Sequence, residues 1–199
     1  MRAYIFDLDG TLYDKSGLAR RLALAQLRRG HLRTLARERI ARKALRGCYF
    51  ENEGIFYQTF FDRFPTPDKA REWYFSQYMP DMVAILRKHY HVAPWVKETM
   101  TDLRNQGMTI AVFSDYGFVR EKLEAIGFDL NWANFLFDAP SLGGLKPCKE
   151  SFERICLEMN LQPSDCLMIG DRSDTDGTGA RSVGMAFALV KNAECPPIP

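Results

Sequence analysis

Five short apolar runs constrain this chain more than any other feature. They lie at residues 3–6, 108–113, 135–137, 166–169 and 185–190. Each is too brief for a helix, and the first, second and fourth stop at a polar turn carrying Asp or Gly. Runs of this kind suit strands buried on both faces of a parallel sheet. Between them the pattern turns helical. Residues 94–106 open on Pro94 and stop at Gly107, a helix runs to about residue 126, and further helices cover 149–159 and 175–183. Strands alternating with helices imply an α/β fold with a doubly wound parallel sheet.

At 199 residues the chain has room for one sizeable domain, or a domain with a small insert. Hydrophobic residues make up 46% and charged residues 26%, which is ordinary globular composition with enough apolar mass for a core. The net charge of +2 singles out no class of partner. Cys48, Cys148, Cys156, Cys166 and Cys195 are scattered and form no C-x-x-C pair, so free thiols in a reducing cytoplasm are expected. A strand beginning within three residues of the start argues against a signal peptide. No apolar run approaches the roughly 18 residues that cross a bilayer. The tail, 194–199, carries three prolines and is expected to be loose.

Residues 15–92 follow different rules. From 15 to 46 there are eleven Lys or Arg and one acid, Glu38. Leu18, Leu22 and Ala25 recur at helical spacing, as do Leu32, Leu35 and Ala36 after a break at Gly30, which predicts two amphipathic helices. Their basic residues suit a nucleic-acid surface, or a solvated face whose Arg stems cover apolar surface. One or two of them would also suit an anionic substrate. From 49 to 78 aromatics dominate. Phe56, Phe60 and Phe64 lie four apart, as do Tyr57 and Phe61, so a helix with a broad core-facing side is expected. Pro65 and Pro67 end it before another helix. His89 and His91 have metal-ligand spacing, but no third ligand is evident.

The chemistry-bearing residues fall at strand ends. Asp7 and Asp9 stand two apart after the first run, followed by Gly10. Carboxylates at the C-terminal end of a parallel strand sit where open α/β sheets bind ligands. Desolvated together, they repel unless a cation or a shared proton intervenes. An acidic turn would have the same composition. Ser114 and Asp115 close the second run, where a hydroxyl beside a helix N-terminus would suit a phosphoryl oxygen or simply cap the helix. Lys146 precedes Pro147 in a loop. The stretch Gly170-Asp171-Arg172-Ser173-Asp174-Thr175-Asp176 ends the fourth run with an acid and two candidates for a second.

Phe6-Asp7-Leu8-Asp9-Gly10-Thr11-Leu12 resembles the first motif of the haloacid dehalogenase-like (HAD) hydrolase superfamily. Ser114 resembles its second motif, Gly144-Leu145-Lys146-Pro147 its third, and the 169–177 stretch its fourth. All four occur in family order between residues 3 and 190. The resemblance implies a Rossmann-like core from residues 1–14 and 93–199, its doubly wound parallel sheet centred on the Asp7 strand, with an all-α cap from 15–92 inserted after the first motif. It implies Asp7 as nucleophile, forming an aspartyl phosphate. Asp9 is then general acid and base, and Thr11 orients Asp9 or its loop. Ser114, Lys146 and the backbone N–H groups of Leu8, Asp9 and Asp115 are implied for phosphate. Mg²⁺ is implied on Asp7, Asp171, Asp176 and the Asp9 carbonyl, the family spacing favouring Asp176 over Asp174.

The activity expected is Mg²⁺-dependent hydrolysis of a small phosphorylated metabolite. The second aspartate argues against the metal-free dehalogenase branch. A phosphomutase uses the same four motifs, and a module that binds without turnover would keep the fold. Substrate and oligomeric state are silent in the sequence.

Overall fold

The computed structural model describes residues 1–191 and 194, so most of the proline-rich tail, and Cys195, lie outside the described residues. Five strands form one parallel sheet: β1 (Ala3–Asp7), β2 (Thr109–Ser114), β3 (Phe135–Asp138), β4 (Cys166–Gly170) and β5 (Ala186–Leu189). Their order is β3-β2-β1-β4-β5. The strand at the centre, β1, is buried along its whole length, and so is β4. The edge strand β5 is only half-buried, because one of its flanks has no neighbour. Register aligns Asp7 with Phe113 and Phe6 with Ile169, so β1, β2 and β4 end together. The chain leaves β1 toward β2 on one side, while β4 lies on the other. That reversal opens a crevice at the carboxyl ends of the strands.

Between β1 and the next sheet-covering helix come α1 (Leu18–Arg28), α2 (Leu32–Ala44), α3 (Glu53–Phe61), α4 (Pro67–Trp73) and α5 (Met79–His89). A π-helical turn, Tyr74–Tyr78, links α4 directly to α5. The aromatic stripe is core as expected: Phe56, Tyr57, Phe60, Phe61 and Phe64 are all buried, and Phe60 meets Tyr74 edge-on at 5.7 Å between centroids. Gln26 ties the helices together. It accepts from the Trp73 indole at 2.9 Å and donates to Asp81 at 2.9 Å, so its buried amide is satisfied on both ends.

The amphipathic reading of α2 needs correction. Leu32 and Ala36 are exposed, and the buried residues are Leu35, Glu38, Ala41 and Arg42. A charged pair occupies the inward stripe because each member is the other's partner: Arg42 Nε donates to Glu38 Oε1 at 2.7 Å. The Arg42 guanidinium also donates to the Tyr74 hydroxyl at 3.0 Å and the Asp115 carbonyl at 2.9 Å, and lies 3.8 Å from the Tyr116 ring centroid. It thereby fastens α2 to the loop after β2. The remaining helices, α6 (Pro94–Asn105), α7 (Val119–Ala125), α8 (Lys149–Glu158) and α9 (Thr178–Ser182), accompany the sheet. No described helix is long and apolar enough to cross a membrane.

Candidate active site

Three strand ends deliver polar residues to one cavity of about 370 Å³, within the range of small-molecule sites. Asp7 ends β1, Asp115 follows β2, and Asp171 follows β4, while Ser114, at the end of β2, is fully buried and does not line the cavity. Gly10 turns the chain away with φ of 99°, a conformation open to glycine at little cost. A Cβ there would stand 2.6 Å from Asp171 Oδ2, so glycine also lets the two loops approach. Gly170 does the same for the fourth motif, where a Cβ would lie 2.4 Å from Asp176 Oδ2.

Lys146 is the hub. Its ammonium is buried and lies 2.6 Å from Asp7 Oδ1 and 2.7 Å from Asp176 Oδ1. The peptide before Pro147 is cis, and the Lys146 N–H donates to Asp115 Oδ1 at 2.8 Å. Burial pushes the Asp7 carboxyl up to about 7, with Lys146 opposing and Asp176 and Asp9 adding to the rise. Burial likewise raises Asp176, against Lys146. Burial alone would lower the Lys146 ammonium, but Asp176, Asp7 and Asp115 hold it well above its ordinary value.

Asp9 lives in a different field. Burial would raise it too, yet Lys122, Tyr13 and Lys15 outweigh that and hold the carboxyl below the usual range. Lys122 Nζ is ion-paired with Asp9 Oδ2, and the Tyr13 hydroxyl donates to Oδ1 at 2.6 Å. Two neighbouring carboxylates thus have pKa values driven apart, the arrangement that divides acid, base and nucleophile roles. Thr11 donates to Asp7 Oδ2 at 3.1 Å, so its hydroxyl holds Asp7, where Asp9 or the loop was expected.

Ser114 Oγ lies 3.4 Å from Asp9 Oδ2, accepts from the Tyr116 N–H at 3.1 Å, and has Lys122 Nζ at 3.3 Å. The next helix, α7, begins only at Val119, so Ser114 neither caps it nor sits beside its first turn. The second acid of the fourth stretch is also distinguished. Asp174 is exposed and pairs with Arg172, whereas Asp176 is buried beside Asp7 and Asp171. Leu8 is buried at the strand end, and Asp115 lines the cavity. His89 is exposed on the last turn of α5, and neither it nor His91 joins the acidic group.

Carboxylate oxygens of Asp7, Asp171 and Asp176 lie within 4.8 Å of one another. Asp176 Oδ1 is buried and has no aligned hydrogen-bond donor, although Lys146 stands at ion-pair distance. Hard anionic oxygens so placed fit a divalent cation such as Mg²⁺. Lys15 already sets positive charge nearby: its ammonium donates to the Asp9 carbonyl at 2.9 Å and pairs with Asp171 Oδ2.

Three residues at the site had no motif to announce them. Lys122 lies three after buried Val119 and four before buried Ile126, so its helical position alone marked it as facing inward. Tyr13 followed the first motif, and Lys15 was one of eleven bases.

A family model for haloacid dehalogenase-like hydrolases matches residues 1–184. Among curated relatives, glyceraldehyde 3-phosphate phosphatase of Methanothermobacter thermautotrophicus is 28% identical, over 96% of this chain and 86% of its own length. Human N-acylneuraminate-9-phosphatase is 27% identical, over 96% and 83% respectively. Among solved structures, CbbY from Rhodobacter sphaeroides in complex with phosphate superposes with a TM-score of 0.70 at 14% identity, covering 96% of this chain and 88% of that one.

Proposed function

The chain belongs to the haloacid dehalogenase-like hydrolase family, and we propose that it is a phosphatase hydrolysing a small phosphomonoester through an aspartyl phosphate on Asp7. The observation that carries this is the convergence of Asp7, Asp171 and Asp176 oxygens within 4.8 Å of one another at the strand ends, with the Lys146 ammonium against Asp7 and Asp176 and with Asp9 held by a separate lysine, Lys122. Asp7 attacks phosphorus and the bond to the leaving oxygen breaks as Asp9 supplies a proton. Water then attacks the aspartyl phosphate, Asp9 takes its proton, and phosphate and free Asp7 result.

Asp9 as found is a base, since Lys122 keeps it ionised. A phosphoryl oxygen seated at Ser114 would compete for the same ammonium, 3.3 Å from Ser114 Oγ. That competition relaxes the hold on Asp9, which then takes up a proton from solvent and passes it to the leaving oxygen. Lys146, Ser114 and the N–H groups of Leu8, Asp9 and Asp115 bind the remaining oxygens. Asp7, Asp171, Asp176 and the Asp9 carbonyl would hold Mg²⁺, which when bound offsets charge on the phosphoryl oxygens. Residues 15–92 act as a cap whose Leu18, Leu22 and Met82 wall the cavity and keep bulk solvent out, leaving the attacking water to be placed by Asp9.

The test is phosphate release from an activated aryl phosphate and a panel of phosphorylated metabolites. EDTA should abolish release and Mg²⁺ restore it. Full activity in EDTA would remove the metal from this reading, and no release from any ester would remove the phosphatase. Phosphoryl transfer between hydroxyls of a sugar phosphate, without free phosphate, would mark a phosphomutase.

A further inference from the structure

The cavity's cations differ in whether a carboxylate stands at ion-pair distance; among the described residues Arg46 has none there, although, after the Arg172 hydrogen bond, its charge helps hold the exposed Asp174 carboxyl below its usual range. Lys146 is paired with Asp7 and Asp176, Lys15 with Asp171, Arg42 with Glu38, and Arg172 with Asp174. Lys122, just behind the cavity, is paired with Asp9. Arg39 and Arg46 also line the cavity, and among the described residues neither has a carboxylate at ion-pair distance. Both are exposed at its cap side.

Their placement is built into the fold. Arg39 and Arg42 lie three apart on α2. Arg42 is buried and bonded to the Asp115 carbonyl, which fixes how that part of α2 faces the core. Arg46, just beyond α2, has its backbone bridged to Leu145, and the Gly47 N–H donates to the Leu145 carbonyl at 3.1 Å. The arginine is thereby held next to the loop that carries Lys146. Leu18, Leu22 and Met82 add apolar lining to the same cavity. A ligand filling this space meets the Asp7 group, apolar surface, and two guanidinium groups with no carboxylate at ion-pair distance.

We propose that Arg39 and Arg46 form a second anion subsite, and that the substrate is a small phosphomonoester bearing another anionic group, a carboxylate or a second phosphate, away from the scissile phosphoryl. This rests on the Asp7 end being the phosphoryl site. Guanidinium groups suit either anion, because their paired N–H donors match two oxygens at once.

Three esters of matched length test it, ending in a hydroxyl, a carboxylate or a phosphate, each assayed for kcat/KM beside an activated aryl phosphate. One of the two anionic esters should exceed the neutral one by about tenfold or more, as charge-assisted contacts allow. Which one it is tells carboxylate from phosphate. The preference should shrink as salt rises. In R39Q/R46Q, checked for an unchanged melting temperature, the ratio should fall toward unity, chiefly through KM. R39K/R46K should keep most of it, which a loss of fold would not allow. A wild-type enzyme that cleaves the aryl phosphate but treats the three esters alike would overturn this subsite alone. So would an undiminished ratio in R39Q/R46Q. Failure to cleave any ester would take down the phosphatase reading and the subsite with it.

Discussion

Lys146→Met removes one ammonium from between two buried carboxylates, and the geometry sets how much that should cost and when. The lysine is 2.6 Å from Asp7 and 2.7 Å from Asp176, with all three side chains largely buried. Stranding a buried charge by deleting its partner costs about 3–5 kcal/mol. For a chain of this length that corresponds to a melting temperature lower by roughly 6–20 °C. The loss should depend on pH. In the wild type Asp7 titrates near 7 when folded and Asp176 is also raised, against 3.8 as the ordinary value. The folded state therefore binds more protons than the unfolded state between about pH 4 and 7, and stability falls as pH rises through that window. Without Lys146 both carboxyls rise further, so the decline should steepen and extend above pH 7. At pH 5, below the value near 7 that Asp7 has even with Lys146 present, Asp7 is protonated in the folded variant and less charge is stranded. Thermal scans in EDTA at pH 5 and pH 8, followed by circular dichroism, measure the difference. The gap between variant and wild type should be large at pH 8 and smaller at pH 5. An equal gap at both would mean that Lys146 contributes packing and not charge.

Two further lysines give separate expectations. Lys15→Met should tighten Mn²⁺ binding a few-fold in an electron paramagnetic resonance titration, because the ammonium on Asp171 and the Asp9 carbonyl competes for oxygens a metal would use; its side chain is 42% exposed, so the pair is worth about 1 kcal/mol or less. Weaker Mn²⁺ binding would show that Lys15 assists the metal. Lys122→Met should move the acidic limb of the pH–kcat profile upward, since burial then acts on Asp9 with its main opposing charge gone; an unmoved limb would separate Lys122 from the proton transfers.

How far the sequence carried depended on the kind of signal. The sheet was legible because its strands are short apolar runs that stop at Asp7, Ser114 and Gly170, a pattern that helices and loops rarely produce. Strand ends alone brought Asp7 and Asp171 together, while the choice of Asp176 over Asp174 came from the family's spacing. Periodicity failed on α2 because it counts apolar residues. The inward stripe there runs Leu35, Glu38, Arg42, and two charges that satisfy each other look like surface until their spacing of four is noticed. Lys122 was hidden for the same reason, its partner Asp9 being distant in sequence. Thr11 was placed near the right residues but against the wrong carboxylate, since a turn's side-chain directions depend on the Gly10 geometry. The Tyr74–Tyr78 π turn has no composition that marks it.

The claim beneath all of this is that Asp7 carries the phosphoryl group and Asp9 moves protons. Asp9→Asn keeps Asp7, its lysine and the Asp9 carbonyl, while removing the base that water needs; turnover should fall by about 10²–10⁴-fold. An activated aryl phosphate, whose leaving group needs little protonation, should still phosphorylate Asp7. Mixed with that substrate and quenched in acid, the variant should show the added mass of one phosphoryl group, and peptide mapping should place it on Asp7. Label on another residue, or near-normal turnover in Asp7→Asn, would contradict the assignment.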